Sequence, residues 1–190
     1  MTTVAPEFQR YIKRTLTLLG GRDPRQVQKE AVGKLRRAVK GLTPKQLAWN
    51  PAPGKWSIRQ IVAHLTDTEM VYGYRIRKIL AEPGRPIEAY DQDLWARTNR
   101  YEKHSVQQNL AALEAMRRLN LEFYRRLAPE EWNAYGLHAE RGKESLADVM
   151  RMIAGHDINH LGQVEAIRLA LKTARAQPVK RKSQKRKRPA

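Results

Sequence analysis

Two histidines, His156 and His160, stand four residues apart in the stretch Gly155-His156-Asp157-Ile158-Asn159-His160-Leu161-Gly162-Gln163. On a helix that spacing stacks both imidazoles on one face, about one turn apart, where a single divalent ion can accept both. A third histidine, His64, lies far upstream between Ile61 and Leu65 in Trp56-Ser57-Ile58-Arg59-Gln60-Ile61-Val62-Ala63-His64-Leu65-Thr66-Asp67. It shares the apolar stripe of that segment, as His156 and His160 share theirs with Ile153, Val164 and Ile167. A buried imidazole without a partner costs free energy, so three inward-facing ones call for something that satisfies them. The expectation is that folding brings His64 against the pair, giving a three-nitrogen metal site with an open position able to activate water or a substrate group. Asp67, Asp157 and Gln163 are placed to fix histidine tautomers or to receive protons, and Asp157 is a candidate catalytic group on that ground.

Other chemistries compete for the same residues. A lone histidine on an apolar face is more often a hydrogen-bonded core residue than a ligand, and solvated pairs at this spacing also occur. His156-Asp157-x-x-His160 mimics the His-Glu-x-x-His of zincins, but aspartate is one methylene short for the base role, and substrate-binding strands are not evident. The His-Asp dipeptide is also that of HD-domain phosphohydrolases. That pattern needs a further aspartate downstream, and Asp157 is the last in the chain.

The elements that must carry these residues read as helices. Apolar spacing predicts a short helix from about Pro6 to Leu19, ended by Gly20-Gly21, and a second from Asp23-Pro24 to about Lys40. Ser57 with Gln60 forms a capping box for a third, running to Leu80 before Pro83-Gly84. A fourth runs from about Val106 to Leu127. Ser145 with Asp148 opens the last, through Leu171. Residues 82–105 are irregular and longer than an ordinary bundle loop, which points to function or to a cap over one end. No strand-like alternation of useful length is present. The fold class expected is all-α, a four-helix bundle over 23–174, with an N-terminal helical extension over 1–22 and a disordered basic tail over 175–190.

Composition narrows the function classes. The chain of 190 residues has no cysteine, which removes disulfides, thiolate ligands and a cysteine nucleophile together. No apolar run approaches a membrane span, and residues 1–8 lack the apolar core of a signal peptide, so a soluble cytoplasmic protein is expected. Of the formal charge of +18, seven positives lie in Pro178–Ala190 without an acid, leaving 30 basic against 19 acidic residues elsewhere, or +11. The tail could draw nucleic acid or another polyanion, yet it has no aromatic residue to stack on bases, and a solvated extension is the plainer account. Arg75, Arg77 and Lys78 could attract an acidic substrate, although a solvated helix face is again the plainer reading.

Three stretches together carry a family resemblance: Lys55-Trp56-Ser57-Ile58-Arg59-Gln60-Ile61-Val62-Ala63-His64-Leu65, Ala89-Tyr90-Asp91-Gln92-Asp93-x-Trp95, and Gly155-His156-Asp157-x-Asn159-His160-x-x-Gln163. Their order and separation resemble the DinB/YfiT-like superfamily over about Pro6 to Leu171. That resemblance implies a bacterial four-helix bundle in which His64, His156 and His160 hold a divalent metal, zinc or nickel, often in a homodimer. Members of the family transfer substrates to low-molecular-weight thiols such as bacillithiol or mycothiol, isomerise thiol adducts, or are described as metal-dependent hydrolases. The resemblance thus implies a metal-dependent thiol S-transferase or hydrolase with a small-molecule substrate. The reading from another class is a non-catalytic, stress-related or nucleic-acid-associated protein with a structural or regulatory metal. His138 could overhang the open coordination position as a proton shuttle, or be a plain surface loop histidine like His104. Asp91 and Asp93 could line the pocket mouth or cap a short helix near Leu94.

Overall fold

The computed structural model describes residues 4–176. Each long helix starts where a short polar side chain can take one of the first free backbone N–H groups. Asp23 accepts from Arg25 N at the head of α2 (Pro24–Val39). Ser57 and Gln60 close the expected capping box on α4 (Ile58–Ala81). Ser105 accepts from Gln108 N on α6 (Val106–Arg125). Ser145 and Asp148 bond reciprocally at the start of α7 (Leu146–Ala176). Two further helices precede α4: α1 (Pro6–Leu19) and the single turn α3 (Pro44–Leu47). The chain leaves α1 through Gly20 at φ +59°, a conformation that costs glycine little.

The four long helices α2, α4, α6 and α7 form the bundle, and α1 lies along α7. Gly155 sets that approach: a Cβ there would stand 2.3 Å from the Thr15 carbonyl oxygen, so α1 packs directly beside His156. The core is layered. One apolar cluster, with Val32, Leu35, Ile61, Leu65, Leu113 and Val164, fills one end. A second, with Tyr72, Ile76, Ile79, Tyr124, Val149 and Ile153, fills the other. Each long helix also buries polar residues: Gln28 on α2, His64 and Glu69 on α4, Arg117 and Asn120 on α6, and His156, Asp157 and His160 on α7.

The segment between α4 and α6 is not irregular throughout. It holds β1 (Pro86–Ile87), α5 (Gln92–Thr98) and a 3-10 turn at Tyr101–Lys103. β1 pairs in parallel with β2 (Tyr135–His138), which pairs antiparallel with β3 (Gly142–Ser145). This small sheet corrects the expectation of no strands. Strands of two to four residues are too short for alternation to register in sequence. Gly136 is needed where β2 crosses β1, since a Cβ would come within 2.3 Å of Ile87 Cδ1. The basic tail expected to be disordered lies, from residue 177 on, outside the described residues.

Candidate metal centre

Helices α4 and α7 bring the three histidines together. His64 Nε2 lies 3.0 Å from His156 Nε2, and His160 Nε2 lies 3.1 Å from the same atom. All three rings are buried, and their ligand atoms lie within 4.8 Å of one another. Two nitrogens around a tetrahedral ion with bonds of about 2.05 Å stand roughly 3.3 Å apart, close to what is seen. The tautomers argue the same way. His160 Nδ1 faces Gln163 Oε1 at 3.1 Å, and because that amide oxygen only accepts, Nδ1 carries the proton and Nε2 keeps its lone pair. Burial holds His64 well below the ordinary histidine pKa, with the His160 charge adding to it. Burial also depresses His156, and it pushes His160 down to about 4. Converging imidazoles kept neutral in this way are a donor set that fits a divalent cation and lacks a better partner.

Trp56, at the entrance to α4, walls the cluster: its ring lies 4.8 Å from His64 and is stacked on His160 at 6.5 Å. On the other side a cavity of about 620 Å³ opens, lined by His64 and His156 together with Tyr11, Thr68, Tyr72, Arg75, Tyr90, Asp91, His138 and Arg141, among others. Thr68 Oγ1 lies 3.4 Å from His64 Nε2 and 2.9 Å from the Tyr90 hydroxyl, which ties the segment before α5 to the centre.

The residues expected to support the histidines divide. Gln163 does so directly. Asp67 accepts instead from the Tyr101 hydroxyl at 2.5 Å. Asp157, one residue beyond His156, points the other way and accepts both arms of the Arg117 guanidinium at 2.6 and 3.2 Å. Arg117 also donates to Glu69 at 2.8 Å, making a buried ionic cluster behind the histidines. Asp91 caps α5 through Asp93 N and Leu94 N and stands, exposed, among the cavity-lining residues. His138 is not a surface histidine: it is 3 % exposed, at the end of β2, in the wall of the same cavity as His64 and His156. His104 bonds Asn99 O and Asn109, away from that cavity.

Among the cavity-lining residues, Tyr11, Thr68, Tyr72 and Tyr90 have no role read from the sequence. Arg75, offered both as a charge for an acidic substrate and as part of a solvated face, is buried, 3 % exposed, and so is not on a solvated face. The signal was present on α4. Counting from His64, Thr68, Tyr72 and Arg75 fall at i+4, i+8 and i+11, all on the histidine face of one helix. Tyr11 reaches the cavity only because α1 folds back over Gly155.

A profile of the DinB superfamily matches residues 29–164. The chain belongs to the DinB superfamily. Among curated DinB relatives, a candidate metal-dependent hydrolase from Oceanobacillus iheyensis is 26 % identical over 133 residues, spanning 70 % of this chain and 77 % of its own. One described in the same terms from Bacillus cereus is 28 % identical over 138 residues, covering 73 % and 79 %. Among solved structures, YfiT from Bacillus subtilis, described as a probable metal-dependent hydrolase with an unusual four-helix bundle topology, superposes with a TM-score of 0.74 at 21 % identity, covering 90 % of this chain and 92 % of its own. That superposition supports the fold.

Proposed function

We propose that this DinB protein is a divalent-metal-dependent enzyme that transfers a small thiol onto an electrophilic substrate bound in the cavity. The observation that carries the reading is the convergence of the His64, His156 and His160 Nε2 atoms, with His64 and His156 in the wall of that cavity. His64, His156 and His160 would hold the ion, zinc or nickel suiting a three-imidazole set. When bound, it supplies Lewis acidity that lowers the pKa of a thiol or of water.

The choice of thiol rests on what this chain's own groups are free to do. Of the acid–base candidates of the sequence, Asp157 is engaged by Arg117, Asp67 by Tyr101 and Asp91 by the first backbone N–H groups of α5, while His138 Nδ1 accepts from the Glu140 and Arg141 N–H groups and leaves its Nε2–H as a donor rather than a base. A thiol, ordinarily near pKa 8.5, needs no protein base once a cation is beside it, whereas water asks for more help. The chain has no cysteine, so the sulfur comes with a small molecule of the bacillithiol or mycothiol kind. In the transfer the thiol gives its proton to solvent water, sulfur bonds to the substrate carbon, and the carbon–leaving-group bond breaks with the electron pair going to the leaving group. Thr68 and Tyr90 line the approach and can orient the bound molecule by hydrogen bonds.

The test is elemental analysis of untagged protein beside turnover assays. About one zinc or nickel per chain is expected, lost in His160→Ala while the helical circular dichroism is kept. Thiol-dependent consumption of an electrophile such as 1-chloro-2,4-dinitrobenzene should vanish in the same variant. Metal-loaded protein that hydrolyses esters or amides but ignores every thiol would replace this reading with the hydrolase one; protein that binds no metal would end both.

A further inference from the structure

The cavity beside the histidines holds more positive charge at its inner wall than the protein itself neutralises. Arg75 is 3 % exposed. Among the described residues no carboxylate oxygen lies within 4.0 Å of it, although the equally buried Arg117 has Asp157 and Glu69, and the half-buried Arg141 has Glu144. Its recorded contacts are a hydrogen bond donated to the Glu88 carbonyl and the faces of Tyr72 and Tyr90, 5.4 and 5.9 Å from the guanidinium carbon. A guanidinium has five N–H donors, and burying its charge unpaired is costly unless something arrives to match it. Burial lowers the Arg75 pKa, and the pull of Tyr72 and Glu144 against it and against Arg141 does not restore it.

His138 gives the second, independent observation. Its Nδ1 accepts from Glu140 N at 3.1 Å and from Arg141 N at 3.3 Å, so that atom is unprotonated and the proton sits on Nε2. Among the described residues this buried Nε2–H has no partner, and its ring lines the same cavity. A buried donor without an acceptor is rare and calls for an explanation such as a water, an ion or a ligand group. The carboxylates around the cavity, Glu7, Asp91 and Asp93, are exposed, and Glu140 is half-buried. Charge is thus sorted by depth, negative outside and positive within. An extended polyanion meets the wrong sign first; a small molecule that carries one acid group inward does not.

Resting on the reading of the three histidines as the reactive centre, we propose that Arg75 and the His138 Nε2–H form an anion subsite that holds the carboxylate or phosphate group of the substrate. Helical rise places the Arg75 and His64 Cα atoms about 16 Å apart along α4 on one face. The molecule bound there carries its acid group several bonds from the atom that reacts, and the subsite sets which end faces the metal.

The experiment titrates succinate, inorganic phosphate and neutral succinamide into the full-length, metal-loaded protein. It follows heat by calorimetry and the His138 imidazole nitrogens by NMR. Succinate or phosphate is expected to bind at one site and move the His138 Nε2 resonance, with succinamide inert; whichever anion binds more tightly identifies the acid group. Arg75→Gln, which keeps a donor for Glu88, should weaken that binding tenfold or more and leave the metal content unchanged. Anion affinity equal to wild type in Arg75→Gln overturns the proposal, as does an unmoved His138 resonance. If Arg75→Gln fails to fold, the wild-type His138 shift decides alone. Repeating the titration after chelation separates this subsite from the metal reading: anions that still bind to a protein found to hold no metal leave the subsite standing and sink the reaction, and metal without anion binding does the reverse.

Discussion

Arg117 donates to Glu69 and to Asp157 from a position only 3 % exposed, and it gives a further bond to the Gln28 carbonyl. Burial works against its charge, but the two carboxylates outweigh it and push the guanidinium pKa up. Removing one partner of such a cluster leaves the others buried and uncompensated. Arg117→Ala is therefore expected to cost about 3–5 kcal/mol in urea unfolding. Because no side chain of the cluster hydrogen-bonds a histidine of the triad among the described residues, the variant, where it stays folded, should keep its full metal content. The sequence reading placed Asp157 in the reacting centre because it neighbours His156. Adjacent helical positions differ by about 100° in direction, so the residue next to a ligand faces elsewhere. Gln163, three residues from His160, was placed correctly for the same geometric reason.

At the scale of elements, the contact of α1 with α7 decides whether the cavity has its outer wall. Gly155→Ala would drive a Cβ into the Thr15 carbonyl at 2.3 Å and the Thr15 methyl at 2.7 Å. The expected outcome is a loss of about 1–3 kcal/mol by overpacking and faster protease cleavage within residues 1–22. Gly162→Ala is the control on the same helix. Nothing lies within 4 Å of its would-be Cβ, and there the substitution should stabilise by about 0.5–1 kcal/mol. The long helices were legible from sequence because each joins an apolar stripe to a polar cap: Ser57 with Gln60 and Ser145 with Asp148 stand where they were expected. The three-stranded sheet was not, since the β2–β3 hairpin has strands of four residues each and the β1–β2 pairing joins Pro86 to Leu137 across fifty residues of chain. With it went the place of His138, which only β2 brings to the cavity.

For the whole molecule, two apolar core clusters predict a bundle that folds without a cation and is stabilised further by one. Zinc at a hundredfold excess over its dissociation constant should raise stability by about 2.7 kcal/mol, read as a higher melting temperature that EDTA reverses and His160→Ala abolishes. Deleting Pro178–Ala190 removes seven of the positive charges and should leave that metal-linked shift intact, while any salt-dependent retention of DNA disappears with it. Among the described residues no helix is long and apolar enough to cross a membrane. The sequence by itself determined the helical class, the caps, the family and the three histidines, because periodicity, capping and ligand spacing are written within one turn or one helix. Only the tertiary structure decided that His64 and His156 face the cavity, that Arg75 and His138 are buried there without a counter-charge or acceptor among the described residues, and that Asp157 belongs to a different cluster. Burial and partnership depend on what the other helices bring, and no stretch of chain carries that information alone.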